Sequence, residues 1–220
     1  MTWVLLAVAY LLGAVPSSYV AGRVARGVDL RTQGSGNLGA TNAFRVLGWR
    51  VALPVLLFDI FKGWFPAYAF PLWDGAPSPW WALAYGAAAV LGHVFSPYVT
   101  FKGGKGVATS AGFLLALAPL AVGIGFIVWL IIVFSTKIVS IASLVAAATV
   151  PVTVYFGYGA GPILWLCLGM VAFVIFAHRA NIRRLMRGEE NRFGRRPPED
   201  TLPPMGGPGA PASDDREVRP

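Results

Sequence analysis

Three short polar stretches interrupt a chain that is otherwise strongly apolar. They are residues 34–42 (GSGNLGATN), 102–109 (KGGKGVAT) and 178–190 (HRANIRRLMRGEE), and each lies at the end of a long apolar run. Glycine backbone lets N–H groups approach phosphate oxygens, and Lys or Arg neutralises their charge. Small hydroxyl and amide side chains add further hydrogen bonds. The pattern predicts that the three stretches bind a phosphorylated ligand at a membrane surface.

Two nucleotide-binding motifs match these stretches only in part. Residues 34–39 follow G-x-G-x-x-G, with Asp59 at the distance of a ribose-binding acid, but no strand precedes them and Asp59 lies in an apolar run. The βαβ context of dinucleotide binding is therefore missing. The stretch around Lys105 is not a Walker A loop. Gly106 follows the lysine where that motif has Ser or Thr, and the first glycine of the motif is missing. The alternative interpretation is that the glycines only permit tight turns between helices.

The composition identifies the class of protein. Of the 220 residues, 56% are hydrophobic and 13% are charged, and the mean hydropathy is +0.62, whereas a soluble domain is about a quarter charged. The net charge of +8 does not indicate a nucleic-acid partner. The Lys and Arg residues cluster between apolar runs, as they do in the cytoplasmic loops of membrane proteins. We therefore expect an all-α integral membrane protein.

The apolar runs determine the expected topology. A helix needs about 20 apolar residues to cross the hydrocarbon core, and five runs approach that length: 3–22, 51–72, 80–98, 138–156 and 163–177. The run 107–135 fits either one long span or a hairpin of two short helices that turns near Pro119. Only the hairpin keeps Lys137 and the Arg-rich residues 178–196 on the cytoplasmic side. The sequence therefore predicts a seven-helix transmembrane bundle with its N-terminus outside, its C-terminus in the cytoplasm and all three polar stretches on the cytoplasmic side.

A change of composition divides the chain into two parts. Residues 1–193 are predicted to form the transmembrane domain. Residues 194–220 are rich in Pro, Gly, Ala and charge and have no apolar periodicity. Such a segment cannot bury enough apolar surface to fold, so we expect a disordered cytoplasmic tail.

A few titratable side chains lie within or beside the apolar runs. Asp59 and Lys62 are three residues apart on one face of the second helix, where an ion pair offsets the cost of about 2.5–3.5 kcal/mol for a charge in a span. The pair either serves only that purpose or supports the polar stretches from within the bundle. His93 and His178 lie near cytoplasmic helix ends, and we expect an acid–base role for at least one of them. No His, Asp and Glu residues have metal-ligand spacing, so no metal is implied.

These residues resemble the motifs of the bacterial acyl-phosphate:glycerol-3-phosphate acyltransferases, the PlsY type. The first motif is similar over residues 35–45 (SGNLGATNAFR), the second over 92–109 (GHVFSPYVTFKGGKGVAT) and the third over 178–190. The likeness covers roughly residues 3–193. The sequence departs from the family pattern between the second and third motifs. The family tends to carry Arg and a pair of serines there, whereas this sequence has Lys137, Ser140, Ala142 and Ser143. Lys lacks the bidentate fork of Arg, so contacts near residue 137 are expected to differ.

The resemblance implies the first acylation step of phospholipid synthesis. A fatty acyl group would move from acyl-phosphate to the 1-hydroxyl of sn-glycerol 3-phosphate, giving lysophosphatidic acid and inorganic phosphate. Acyl-phosphate is a mixed anhydride with a good leaving group, so the enzyme need only position the hydroxyl and stabilise charge. The resemblance implies no cofactor, and neither acyl-CoA nor acyl carrier protein as the donor.

The catalytic residues expected on this basis are Ser35, Lys105, His178 and Asn181. His178 would orient or deprotonate the attacking hydroxyl, with Asn181 aligning it; alternatively the phosphate of the donor accepts the proton and His178 only positions the substrate. Ser35 and Lys105 would help to hold the phosphates and the oxyanion. The other residues expected to contact substrate are Asn37, Thr41, Asn42, Arg45, Lys102, Gly103, Gly104, Ser143, Arg179 and Glu190.

The expected partners are acyl-phosphate, glycerol 3-phosphate and membrane lipid. We expect a monomer in the bacterial plasma (inner) membrane with its active site facing the cytoplasm, and functional coupling to an upstream enzyme that produces acyl-phosphate is a further hypothesis. The competing interpretation is a transporter or flippase for a phosphorylated lipid or glycerol phosphate. The break near Pro119 and the charges of Asp59 and Lys62 would suit that function as well.

Overall fold

Ten α-helices make up the described part of the chain, which is residues 1–75 and 78–193 of a computed structural model. The helices are α1 (Thr2–Ala14), α2 (Ser17–Arg26), α3 (Ala40–Leu47), α4 (Trp49–Asp74), α5 (Pro79–Val94), α6 (Val107–Leu117), α7 (Pro119–Thr136), α8 (Val139–Tyr158), α9 (Pro162–Ala177) and α10 (Arg179–Met186). A 3-10 turn, Pro97–Val99, follows α5. The predicted disordered tail, 194–220, lies outside the described residues.

Five helical segments of the described chain are long and apolar enough to cross a membrane: Thr2–Arg26, Trp49–Asp74, Trp80–Val99, Pro119–Thr136 and Val139–Tyr158. The bent pair of α9 and α10 makes a sixth if it is one span, and α6 is a shorter apolar helix. These segments correspond to the predicted runs. The count of seven spans, the orientation of the termini and the extent of the transmembrane domain stay predictions.

The long run 107–135 is broken where the sequence predicts, but into unequal parts. Pro119 occupies the first turn of α7, where its missing N–H costs nothing. This places the break after residue 118, nearer the start of the run than its end. As a result α6 has 11 residues, whereas α7 has 18 and is long enough to span by itself. The expected pair of short helices is therefore one short and one full-length helix.

The first apolar run is also broken, although the sequence predicts one continuous helix over residues 3–22. α1 ends at Ala14 and α2 begins after Pro16, because proline has no N–H to donate and pushes Val15 out of the helical conformation. The break leaves two carbonyls without helical partners. Ser96 Oγ donates to the carbonyl of Ala14 at 2.6 Å, and Lys62 Nζ donates to that of Val15 at 2.8 Å. Both backbone groups are thus satisfied away from water.

α4 is the central helix of one half of the bundle and packs on α1, α2, α3, α5 and α6. Gly63 of α4 lies against the carbonyl of Thr109, and Gly112 of α6 lies against that of Ile60. A Cβ at either glycine would overlap the opposite backbone. Membrane helices associate through small residues in this way because close backbone approach maximises van der Waals contact. The contact fixes α6, and the loop before it, on α4.

The remaining helices form a second half of the bundle, in which α8 packs between α7 and α9. The buried residues Leu114 and Ala118 of the first half join Ala121, Val154 and Cys167 in one core cluster. Large apolar side chains are exposed on the outside of this half, among them Ile127, Ile131, Phe134, Phe156 and Trp165. Such a surface would aggregate in water but is expected where lipid is the solvent.

Candidate active site

A cavity of about 580 Å³ lies between α6, α7, α8 and α9 and reaches the loops of all three polar stretches. Ten of the fourteen residues predicted to act on substrate line it: Ser35, Asn37, Thr41, Asn42, Arg45, Lys105, Ser143, His178, Asn181 and Glu190. Residues about 150 positions apart in the sequence therefore meet in one site, and the three stretches converge as their shared chemistry predicts.

Glu190 is the centre of a hydrogen-bond network at the polar end of the cavity. Its Oε1 accepts hydrogen bonds from Ser140 Oγ at 2.9 Å and from Asn181 Nδ2, and its Oε2 accepts one from Arg184 Nε at 2.7 Å. Because the amide nitrogen of Asn181 is held by the carboxylate, its Oδ1 is turned to accept a hydrogen bond from Lys105 Nζ. The network thus links the third polar stretch to the second through charge-assisted hydrogen bonds.

Burial controls the charge of the ionisable groups at this end. Burial lowers the pKa of Lys105 to about 8, and the Glu190 carboxylate only partly opposes it. Burial also lowers the pKa of Arg45, again opposed by Glu190. In Glu190 burial raises the pKa, but hydrogen bonds from Asn181, Arg184 and Ser140 outweigh it, and the net pKa is lowered. At neutral pH the site therefore holds two cations beside a carboxylate whose charge is already engaged.

His178 lies at the 58° bend between α9 and α10. Its ring is buried and lines the cavity, and its Nδ1 is 2.8 Å from the carbonyl oxygen of Val174. Since a carbonyl can only accept, Nδ1 carries the proton of the neutral ring. The other nitrogen, Nε2, then has a lone pair that can accept a hydrogen bond or a proton from a substrate hydroxyl.

Asn42 shapes the first polar stretch. Its Oδ1 accepts the N–H of Ser35 at 2.9 Å, and its Nδ2 donates to the carbonyls of Leu30 and Gln33 at 3.2 and 3.0 Å. The side chain is buried, and both donors of its amide are engaged by the protein. Asn42 lines the cavity and also positions the loop, and its contact with substrate stays a prediction. Ser35 of that loop and Thr41 in the first turn of α3 remain exposed.

Lys102, Gly103, Gly104 and Arg179 are not among the lining residues. The N–H groups of Gly103 and Gly104 donate to the carbonyls of Val94 and His93 at 3.0 and 3.1 Å, so they are not free to bind phosphate. Lys102 is exposed. The Arg179 guanidinium lies 4.5 Å from the ring centroid of Phe176 and donates to its carbonyl at 3.1 Å. The geometry does not support direct contact between these four residues and a ligand in the cavity.

Several lining residues were not predicted as contacts. Ser140 lies three residues before Ser143 on α8, and Arg184 three after Asn181 on α10, so helical periodicity was a usable signal for both. Trp129 Nε1 donates to Ser143 Oγ at 3.2 Å, but nothing in the sequence indicates that a tryptophan of α7 reaches α8 at this point. His93 and Asp59 also line the cavity.

Away from the polar end the cavity is apolar. Side chains at helical spacing on four helices line it, among them Leu114 and Leu115 of α6, Val122 and Phe126 of α7, Ala146 and Val150 of α8, and Met170 and Val171 of α9. The site therefore has two chemically different parts. One part suits a phosphorylated group and the other suits a hydrocarbon chain.

Comparison with known proteins agrees with this geometry. The family model for glycerol-3-phosphate acyltransferase matches residues 3–188. A glycerol-3-phosphate acyltransferase of Chlorobium phaeobacteroides (strain BS1) is 41% identical, and the alignment covers 86% of this chain and 95% of that protein. One of Synechococcus sp. (strain JA-3-3Ab) is 46% identical over 188 residues, which cover 85% and 91%.

Two crystal structures of PlsY (YgiH), an integral membrane glycerol 3-phosphate acyltransferase, have the same fold. The glycerol 3-phosphate form is 38% identical with a TM-score of 0.82, and the match covers 88% of this chain and 96% of that one. The lysophosphatidic acid form is 37% identical with a TM-score of 0.80, covering 88% and 95%. The chain is thus an integral membrane protein that belongs to the glycerol-3-phosphate acyltransferase family.

Proposed function

We propose that this protein transfers a fatty acyl group from acyl-phosphate to the 1-hydroxyl of sn-glycerol 3-phosphate. The observation that carries the proposal is the single cavity that joins a cationic, hydrogen-bonding end to an apolar part. Both proposed substrates carry phosphate, and one of them carries a hydrocarbon chain. Family membership and the two ligand forms of the similar structures support the acceptor and the product.

Lys105 and Arg45 supply the positive charge for the phosphates. The exposed hydroxyls of Ser35 and Thr41, together with Asn37, supply hydrogen bonds from the loop that Asn42 shapes and from the first turn of α3. Lys105 is also held by Asn181, so its ammonium group is oriented before substrate arrives. A preorganised cation of this kind stabilises the charge that develops on the carbonyl oxygen, and losing one such donor costs about 10²–10³ in kcat.

In the reaction the oxygen of the acceptor hydroxyl attacks the carbonyl carbon of acyl-phosphate. The bond between that carbon and the phosphate oxygen breaks, and inorganic phosphate leaves with the electron pair. The hydroxyl proton passes to Nε2 of His178 or directly to the departing phosphate. No protein nucleophile is needed, because the mixed anhydride is already activated. Wild-type turnover of His178→Ala would exclude the first route, since only that route requires the imidazole as a base.

The polar end of the cavity is proposed to face the cytoplasm of a bacterial cell, with the protein a monomer in the plasma membrane. Exposed arginines of the surrounding segments, among them Arg23, Arg26, Arg50, Arg183 and Arg187, support this orientation, because cationic residues favour the cytoplasmic side. Coupling to an enzyme that produces acyl-phosphate is a further part of the proposal. Co-purification from a detergent extract of the native membrane tests it.

The test of function is an assay of the purified protein in detergent micelles with acyl-phosphate, glycerol 3-phosphate and EDTA. We expect lysophosphatidate to form, and Lys105→Ala to lower kcat by about 10²–10³. Lys102→Ala is the matched control, since it removes an exposed lysine of the same loop that does not line the cavity. Uptake of glycerol phosphate into vesicles without any product in micelles would overturn the proposal in favour of a transporter.

A further inference from the structure

A buried ion pair lies beside the break between α1 and α2. Asp59 Oδ1 is 2.7 Å from Lys62 Nζ and accepts a hydrogen bond from Ser17 Oγ at 2.7 Å. Both charged side chains are 1% exposed. Lys62 also donates to the carbonyl of Val15 at the break, which accepts the N–H of Ser17 at 3.0 Å as well. The lysine therefore has a structural purpose, and the aspartate balances its charge.

Asp59 has one more neighbour, and that neighbour belongs to the site. Nδ1 of His93, in the last turn of α5, lies 3.7 Å from the same Oδ1 that receives Lys62 and Ser17. His93 and Asp59 both line the cavity, and His93 is 7% exposed. The ion pair is thus continuous with the polar end of the active site rather than isolated within the bundle.

His93 is in turn packed against the loop that carries Lys105. Its carbonyl accepts the N–H of Gly104 at 3.1 Å. Gly104 lies so close to Nε2 of the His93 ring and to the carbonyl of Leu38 that a Cβ there would overlap both. The ring is therefore held between Asp59 on one side and the backbone immediately before Lys105 on the other. Leu38 belongs to the first polar stretch, so the same packing also aligns the first and second stretches.

We propose that Asp59 and His93 are positioning residues that direct Lys105 into the cavity. Asp59 lies against the His93 ring, with its Oδ1 3.7 Å from Nδ1. The ring packs against Gly104, and the His93 carbonyl accepts the Gly104 N–H. The next residue, Lys105, is thereby presented to Asn181. The inference rests on the proposed acyl transfer, in which Lys105 binds phosphate and stabilises charge. A rigid support of this kind is needed because an error of about 1 Å in the position of a catalytic group can cost about 10²-fold in rate.

The test measures kcat, KM and thermal stability in micelles for Asp59→Asn and His93→Ala. Each is expected to lower kcat/KM by up to about 100-fold, at temperatures where the variant remains folded. Tyr85→Phe is the matched control: it lies on the same helix, it is buried, and it loses a hydrogen bond to an aspartate, Asp74, outside the cavity. This control is expected to lose stability but to keep its kcat and KM.

A double-mutant cycle decides whether His93 acts through Lys105. If it does, His93→Ala lowers activity much less in a Lys105→Arg background than in the wild type. The His93 ring then no longer positions the native ammonium group, which Lys105→Arg has already removed. Additive losses of activity in the double variant would overturn the inference, and so would wild-type kinetics of His93→Ala. Losses of activity that only follow the loss of thermal stability, as expected for Tyr85→Phe, would also overturn it. His93→Gln replaces His93→Ala if the latter does not fold. Absence of product from the wild-type protein would instead refute the proposed function.

Discussion

The charge on Lys105 is expected to set the upper pH limit of acyl transfer. Burial lowers its pKa to about 8, so the ammonium form falls to about half at pH 8 and to about a tenth at pH 9. If only this form stabilises the transition state, kcat/KM falls about tenfold per unit above that pKa. Lys105→Arg keeps its charge, since guanidinium stays protonated below about pH 12. The variant should lose the alkaline fall, although its rate is lower because the planar fork does not reproduce the ammonium contact with Asn181.

The measurement is the initial rate of lysophosphatidate formation between about pH 6.5 and pH 10, a window that brackets the Lys105 pKa. Lys102→Arg is the control for a change of cation in the same loop, and its profile should coincide with that of the wild type. Blanks without enzyme correct for spontaneous hydrolysis of the acyl-phosphate. A wild-type profile that stays flat beyond about pH 9, or an equal alkaline fall in Lys105→Arg, would refute the reasoning.

Stability should change in the opposite direction to activity over this pH window. The pKa of Lys105 is about 8 in the folded protein, whereas its ordinary value is 10.5. Between these two pH values the unfolded chain therefore binds more protons than the folded protein. The free energy of unfolding therefore rises with pH across this window, by at most about 3 kcal/mol from this group. A thermal midpoint that holds or rises while turnover falls separates titration of Lys105 from alkaline denaturation.

Three other substitutions test the site and the packing. Glu190→Gln removes the carboxylate charge that holds Asn181. It should lower kcat/KM by about 10–100-fold, which corresponds to the loss of a hydrogen bond to a charged group. Thermal stability of the variant is measured as the control. Gly63→Ala drives a methyl group into the Thr109 carbonyl and should lower stability by about 1–3 kcal/mol, whereas Gly123→Ala adds a methyl where nothing lies within 4 Å. Gly123→Leu should narrow the apolar part of the cavity and shift the ratio of kcat/KM toward shorter acyl-phosphates by about tenfold; an unchanged ratio would contradict the placement of the acyl chain.

The positions of the apolar helices were predictable because the thickness of a bilayer demands a minimum length of apolar sequence. The Asp59–Lys62 pair was predictable for a similar reason, since residues three apart share a helix face. The break at Pro16 was missed although the proline is visible. Proline is tolerated inside α4 at three positions, so its presence does not tell whether a membrane helix will break.

The division of labour among the motif residues was the least predictable part. Gly103 and Gly104 have the composition of a phosphate loop, but their N–H groups are taken by the end of α5. Asn42 has the chemistry of a ligand contact, but its amide serves three backbone groups of its own loop. Whether a polar group is free depends on how the chain folds back on itself, here between residues 7 to 12 positions apart, and the residue types alone do not specify that path.

The break between α1 and α2 has a consequence for how the chain enters the membrane. Synthesis proceeds from the N-terminus, so Val15 and Ser17 are already in place when the helix that carries Asp59 and Lys62 arrives. The first helical pair thus offers a carbonyl to the incoming lysine and a hydroxyl to the incoming aspartate. A chain that lacks it would present both charges to lipid with fewer partners during biogenesis.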